Sequence, residues 1–232
     1  MLSIPVSIRS NVLKSLVMLS KFLGDYETFK ASLKQHGIKW VQNDSFTTFL
    51  SIVNHNQSNL LEWYNKSKAV LRDNEKLFLK YVILSGLRKA EAVRSFNKVI
   101  SLSSQGRLEE YFDKDLGCLK HYAYPNEYLR NTKNVFFTPI QESLVSAISN
   151  SQPVSYNSIR KRLERNNLKL RFKECRSYFA TYLRNKGVMS ESIDLIQGRV
   201  GKSVFVRFYL KQDLKSLNAE IIGKLGDLQN NL

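Results

Sequence analysis

The sequence predicts a mainly α-helical protein with one small antiparallel β-sheet, an α+β chain in two domains. Three observations carry that prediction. Apolar residues recur at three- and four-residue spacing over most of the 232 residues; the stretch 107–139 is instead rich in aromatic and β-branched types, broken by Gly117, Pro125 and Asn131; and the polar run 65–68 (Asn-Lys-Ser-Lys) interrupts the periodicity early on.

In the first domain, Val12, Leu13, Leu16, Val17, Leu19 and Leu23 predict one helix and Tyr26, Phe29 and Leu33 a second, with Ile38 and Trp40 following Gly37. A further helix over 44–53, capped by Asp44 or Ser45, buries Phe46, Phe49, Leu50 and Val53, and Leu60, Leu61, Trp63 and Tyr64 close the segment. Residues 1–66 are thus expected to form a helical module with its own core, and 67–232 the second domain, with the boundary near Ser67. The second domain opens with a helix from Asp73 to Ser85, capped by Asp73 and burying Leu77, Phe78, Tyr81, Val82 and Leu84. Gly86 ends it and residues 89–96 begin the next, so Arg88 falls in the bend between two helices, where a short connection aims its guanidinium outward. The sheet draws on Tyr111, Phe112, Leu119, Tyr122, Tyr124, Val135, Phe136 and Phe137. From Ser143 the chain is helical again, through 155–166, 176–185, 190–198 and 213–228.

Composition narrows the partner. With 36 Lys and Arg against 20 Asp and Glu, the net charge is +16, so the surface presents a broad positive field and a polyanion is expected. No apolar run is long enough to span a bilayer and residues 1–9 lack a signal-peptide pattern, which leaves nucleic acid and a cytoplasmic location rather than a membrane. Cys118 and Cys175 stand far apart without a Cys-x-x-Cys pattern, and His36, His55 and His121 are scattered, so neither a disulfide framework nor a metal site is expected.

Three blocks bear on the chemistry. They are Leu84-Ser-Gly-Leu-Arg88-Lys-Ala-Glu91-Ala; Lys173-x-x-Arg176-x-x-Phe-Ala-Thr-x-Leu183; and Ile196-Gln-Gly198-Arg199, followed by Tyr209 in Val204-Phe-Val-Arg-Phe-Tyr209. Together they resemble the tyrosine recombinase (integrase) family, and within it the integrases of archaeal viruses and plasmids. Lys173 stands where most members have histidine, and Arg199 replaces the histidine of the family's Gly-His, both basic for basic. Each block alone is a weak signal; three in order are a strong one.

The resemblance implies a site-specific DNA recombinase with a helical core-binding domain ahead of a catalytic domain, the two closing around duplex DNA. Strand transfer by a tyrosine needs a nucleophile, cationic donors on the non-bridging phosphate oxygens, an acid for the leaving 5′-oxygen and help in deprotonating the tyrosine. Tyr209 is the implied nucleophile. Arg88 and Arg176 are the phosphate clamp, because a guanidinium binds phosphate bidentately and stays charged. Arg199 joins them as a third donor, and Lys173, one helical turn before Arg176, gives electrostatic support. The family's general acid is a lysine on the turn of the small sheet. Lys133, in Leu129-Arg-Asn-Thr-Lys133-Asn-Val-Phe-Phe, resembles the Arg-x-x-Lys hairpin turn of archaeal integrases; Lys120 is the second choice and Lys114 a third. No metal or other cofactor is implied. The partners would be attachment-site DNA and, on the synapse, three further copies in a homotetramer assembled from monomers or weak oligomers. The amphipathic segment 213–228, with Leu214, Leu217, Ile221, Ile222 and Leu225, is the expected docking helix between copies.

Each residue also has a plainer reading. Arg88 can cap the preceding helix, Arg176 can pair with Glu174, Tyr209 can be a core tyrosine among its apolar neighbours, and Tyr178 and Tyr182 compete with it as nucleophiles. Two other functions use the same composition: a type IB topoisomerase, and a DNA-binding protein without catalysis.

Overall fold

The computed structural model describes residues 6–38, 45–46, 49–50, 60–130, 134–199 and 213–232. The chain divides into two compact units, Met1–Asn56 and Gln57–Leu232.

In the first unit, α1 (Val6–Phe22) packs against α2 (Tyr26–Gln35), and Leu13 is buried. Two helices offer each other one face only. Among the described residues the remaining stripe of α1 and its C-terminal extension, Met18, Leu19, Phe22 and Leu23, is accordingly exposed, although the sequence placed Leu19 and Leu23 in a core. Of the helix expected over 44–53, Ser45, Phe46, Phe49 and Leu50 are described and helical, with both phenylalanines exposed; Trp40 and Val53 lie outside the described residues.

The second unit is built around α4 (Asp73–Ser85), in which Phe78, Leu79, Tyr81, Val82 and Ile83 are all 0 % exposed. The unbroken run of buried positions from Tyr81 to Ser85 means that its last turn is enclosed, whereas Asp73, Lys76 and Lys80 leave a partly open stripe before it. Its neighbours are α3 (Leu60–Val70), α5 (Lys89–Ser104), α7 (Glu142–Ser149), α9 (Phe172–Asn185) and α11 (Leu214–Asn231). Helix α8 (Tyr156–Arg165) packs on α3 and α10 (Ser190–Ile196) on α9.

The division between units falls ahead of α3, whereas the sequence put a boundary near Ser67. The run 65–68 is helical, and Leu60, Trp63, Tyr64, Ser67 and Leu71 form its buried stripe. A small hydroxyl at the fourth of these apolar-face positions hides the period. Trp63 Nε1 donates to the Lys169 carbonyl at 2.8 Å and the Tyr64 hydroxyl to Leu232 O at 2.6 Å, which ties α3 to the second unit. The α4 cap also differs. Asp73 is the first helical residue, and it is the buried Glu75 that accepts the Arg72 N–H at 3.0 Å, while pairing with Arg162 of α8 at 2.8 Å.

The sheet is short: β1 (Phe112–Asp113), β2 (Cys118–Lys120) and β3 (Phe137–Pro139), antiparallel in that order, with Asp113 opposite Cys118 and Leu119 opposite Thr138. Tyr122 and Tyr124, expected in a strand, lie in and just after a 3-10 turn at His121–Ala123, because Pro125 supplies the fixed φ that starts α6 (Pro125–Tyr128). A buried polar network fastens this region to α4 and α5. Ser95 bonds the hydroxyls of Tyr81 (2.6 Å) and Tyr111 (2.9 Å); Tyr111 meets Tyr128 at 3.0 Å and His121 Nδ1 at 2.7 Å; and His121 Nε2 meets Thr138 Oγ1 at 2.7 Å. Such a network is sound because each member is satisfied.

α11 lays Leu217, Ile221, Leu225 and Leu228 on α4, α9 and β3 of its own chain. Burial pushes the thiols of Cys118 and Cys175 up to about 11 and about 12, so both are inert packing residues. No described helix is long and apolar enough to cross a membrane, and among the described residues no group of His, Cys, Asp and Glu is arranged to hold a metal ion.

Burial lowers His121 from 6.5 to about 3, so it folds neutral. Between those values the unfolded chain binds the extra proton, and stability therefore falls as the pH drops through the window. Chemical denaturation of the wild type should show a loss of about 2 kcal/mol from this one group between about pH 7 and about pH 5. His121→Gln should flatten that dependence; equal slopes for the two proteins would show that His121 is charged in the fold.

Candidate active site

Two glycines bring the three sequence blocks together. Gly86 ends α4 at φ +60°, and a Cβ there would lie 2.4 Å from the Phe179 ring of α9. Only glycine both turns the chain this way and lets α9 approach. Gly198, after α10, has φ +67°, and a Cβ there would meet the Asn134 carbonyl at 1.8 Å.

Arg88 is the N-cap of α5. Its backbone N–H donates to Glu91 Oε2 at 3.1 Å, and its Nη1 to Glu91 Oε1 at 2.8 Å and to the Asn134 carbonyl at 3.2 Å. Its ties thus run to Glu91 and to the chain entering β3. Glu91 is 0 % exposed and takes a second guanidinium, Arg130 Nη2, at 3.1 Å. A buried carboxylate costs several kcal/mol unless it is paired, and two arginines with a backbone N–H offset that cost here.

Arg176 sits on the second turn of α9, 9 % exposed. Its Nη1 donates to Gly86 O and its Nη2 to Gln197 O, both at 2.7 Å, while Gln197 Nε2 returns a bond to Arg176 O at 3.0 Å. Glu174, the competing partner, pairs instead with Arg171 Nε at 2.6 Å. Burial first, and then the charges of Arg88 and Arg199, lower the Arg176 guanidinium to about 10. It remains a cation at neutral pH, short of solvent and facing like charges.

Arg199 follows Gly198. Its N–H donates to Asp194 O at 2.7 Å, and its half-exposed guanidinium lies 3.4 Å from the Asp194 carboxylate. Lys173 is exposed one turn ahead of Arg176. Lys89 Nζ stands 4.1 Å over the Tyr156 ring. Arg88, Lys89, Lys173, Arg176 and Arg199, with Tyr156, Leu170, Phe172 and Ser177, line one cleft of about 580 Å3 without a single carboxylate among them. The arrangement is suited to an anion with several acceptor oxygens.

Of the residues predicted from sequence, the cleft brings Arg88, Lys173, Arg176 and Arg199 together. Lys120 is elsewhere, bonded to the Glu109 carbonyl at 3.0 Å, and Lys114 pairs with Glu142 at 2.8 Å. Lys133 and Tyr209 lie outside the described residues. Tyr178 and Tyr182 stack on each other with centroids 6.1 Å apart. At two and six positions beyond Arg176, both point to the far side of α9. The sequence did not single out Lys89, Tyr156, Asn134 or Gln197. Asn134 and Gln197 hold the arginines through main-chain carbonyls, which any residue type supplies, so no sequence signal exists for that contact.

A family model of the archaeal phage integrases matches residues 52–218, more than half of the chain, a span that contains all three sequence blocks. No curated protein and no solved structure matches it.

The close approach at Gly198 can be separated from its backbone dihedral. Gly106 has the same φ of +67° but open space around it. Gly106→Ala should cost about 1–3 kcal/mol, the strain alone. Gly198→Ala adds overpacking of about 1–3 kcal/mol against Asn134. Thermal melts that rank the two variants equally would remove the steric role given to Gly198.

Proposed function

The chain belongs to the archaeal phage integrase family, and from that premise we propose that it cuts and rejoins duplex DNA through a tyrosine–phosphate intermediate. The convergence of Arg88, Arg176, Arg199 and Lys173 in one cleft free of carboxylates supports this reading best. In the forward step Tyr209 gives up its phenolic proton to water and its oxygen attacks the scissile phosphorus, the bond from phosphorus to the 5′-oxygen breaks, and a 3′-phosphotyrosyl linkage forms. Arg88, Arg176 and Arg199 hold the non-bridging oxygens as their charge rises, with Lys173 adding to the field. Lys133 gives its proton to the departing 5′-oxygen. The second step reverses the first with a 5′-hydroxyl from a partner duplex, so the phosphodiester is conserved.

The helical module ahead of the catalytic unit serves in this reading to grip the duplex. Four copies on two duplexes form the synapse. Leu217, Ile221, Leu225 and Leu228 lie on one stripe of α11, and a neighbour's α4 and β3 would receive that stripe as its own chain's do.

Incubation with a nicked duplex carrying the recombination half-site, followed by denaturing electrophoresis, tests the reaction. The wild type should form a covalent protein–DNA species, and Tyr209→Phe should abolish it while leaving DNA affinity nearly intact. Arg88→Ala and Arg176→Ala should each slow adduct formation by about 10²–10³-fold, the usual effect of losing one preorganised donor to developing charge. An adduct from Tyr209→Phe would sink the nucleophile assignment. Strong DNA binding without any adduct would leave a binding protein, and relaxation of supercoiled plasmid at arbitrary sequence would leave a topoisomerase.

A second experiment addresses the acid. Lys133→Ala should cleave an ordinary phosphodiester slowly yet cleave a 5′-bridging phosphorothiolate at near the wild-type rate, since a thiolate leaves without protonation. Arg176→Ala should stay slow on both. Rescue of Lys120→Ala in place of Lys133→Ala would move the acid to β2.

A further inference from the structure

Among the described residues, four lysines of the second unit stand over tyrosine rings, and three of them also donate to an oxygen. Lys68 bonds the Leu232 carbonyl at 2.7 Å, Lys98 the Glu127 carboxylate at 2.6 Å and Lys186 that of Asp227 at 2.8 Å. The fourth, Lys89, lies 4.1 Å over Tyr156, and among the described residues its ammonium meets no oxygen acceptor. The ring beneath it is a fixed platform. Tyr156 begins α8, half-buried, with its centroid 6.0 Å from that of Phe172, and the buried Phe172 lies 5.8 Å from Phe78 of α4. Lys89 itself is the first residue of α5, a helix of 16 residues, and a cation at the positive end of a helix dipole is disfavoured. Glu91, in the same turn, is taken up by Arg88 and Arg130, so it does not compensate that charge. Helix stability therefore does not explain a lysine at this position. The cleft it lines has room to spare: about 580 Å3 falls in the range of about 300–1,000 Å3 that holds a whole small ligand, more than one phosphate group fills. The cations also face different ways. Arg88 is tied toward Glu91 and Asn134 and Arg176 toward Gly86 and Gln197, whereas Lys89 is drawn to α8.

From this arrangement we propose that Lys89, held by the Tyr156 ring, is a second phosphate contact: it takes a phosphate of the bound strand that flanks the one held by Arg88 and Arg176. An ammonium carries three donors and suits a single phosphate oxygen as a point charge. The contact is to the backbone alone, so it adds affinity and register and no base preference. The proposal rests on the reading of the cleft as a DNA site. It is independent of which residues serve as nucleophile and acid.

The test reads equilibrium binding of the full chain to the half-site duplex by fluorescence anisotropy, over a salt series and with single methylphosphonates that neutralise one phosphate at a time. Lys89→Ala should bind every duplex more weakly, and its plot of log K against log salt should be shallower than the wild type's by about 0.9, the share of one phosphate contact. Lys89→Arg should restore the slope. Tyr156→Leu should lose part of the contact and Tyr156→Phe, which keeps the ring, should hold it; in a Lys89→Ala background Tyr156→Leu should cost nothing more. One methylphosphonate flanking the scissile position should weaken the wild type and leave Lys89→Ala unaffected. An unchanged salt slope, or a Lys89→Ala response equal to the wild type's at every methylphosphonate, would overturn the proposal. A response lost at the scissile phosphate alone would also overturn it and place Lys89 in the arginine clamp. A full Tyr156→Leu penalty without Lys89 would remove the role given to the ring. Failure of the wild type to bind duplex strikes the DNA reading of the cleft and the proposal with it, whereas binding without a covalent adduct strikes only the nucleophile.

Discussion

The second unit depends on one buried cation. Arg176 joins the carbonyl after α4 to the carbonyl after α10, two main-chain points far apart in the sequence, and it does so from the second turn of a third helix. Everything around it serves that geometry. The last turn of α4 is enclosed, so the Gly86 carbonyl at its end is fixed in space; Phe179, one turn beyond Arg176, packs into the room that only glycine leaves there. The reciprocal bond from Gln197 to Arg176 O closes the contact from the other side. Displacing any of the three elements leaves a buried guanidinium with an unmet donor, which costs more than an ordinary lost hydrogen bond.

Electrostatics explains why such a site persists. Burial, and after it the charges of Arg88 and Arg199, depress the affinity of Arg176 for its proton. Gathering them costs folding free energy that the apolar contacts of α4 must offset. The cluster is relieved when an anion enters. In the proposed reaction, a phosphate whose charge grows would gain from donors already in place, with no reorganisation at the moment of need. In that reaction the field that destabilises the empty cleft would favour a more highly charged transition state over the bound substrate.

Much of this was legible in the sequence, and the exceptions have physical causes. Arg88 at the bend, Arg176 on an amphipathic helix and Arg199 after a glycine could be read because it is their side chains that line the cleft. The mainly helical architecture with a small antiparallel sheet was likewise readable from periodicity. The helix α3 was not, since Ser67 occupies a buried position and the run around it looks like a linker. The cap of α4 was not readable, because Asp73 has the preferred side chain but it is the buried Glu75, paired with Arg162, that accepts the Arg72 N–H. Tyr122 and Tyr124 have strand propensity, yet Pro125 dictates a helical turn. Propensity lost to context in each case. Lys89 and Tyr156 entered the cleft without a signal, since their pairing joins α5 to α8 across a long interval of sequence.

The two principal arginines are held by different means, and the difference has consequences. Arg88 is bonded to a carboxylate, which fixes it well but cancels part of its charge. Arg176 is bonded to carbonyls, which orient a guanidinium while leaving its full charge to face the cleft. A site made only of carboxylate-paired arginines would be stable and electrostatically weak; one made only of carbonyl-held arginines would be strong and hard to fold. The observed mixture places the unneutralised cation where it is most desolvated and therefore acts at the lowest effective dielectric. Glu91, sharing its charge between Arg88 and Arg130, stabilises the surroundings without reaching Arg176 by a hydrogen bond. The fold thus separates the group that supplies most of the field from the group that supplies most of the anchoring.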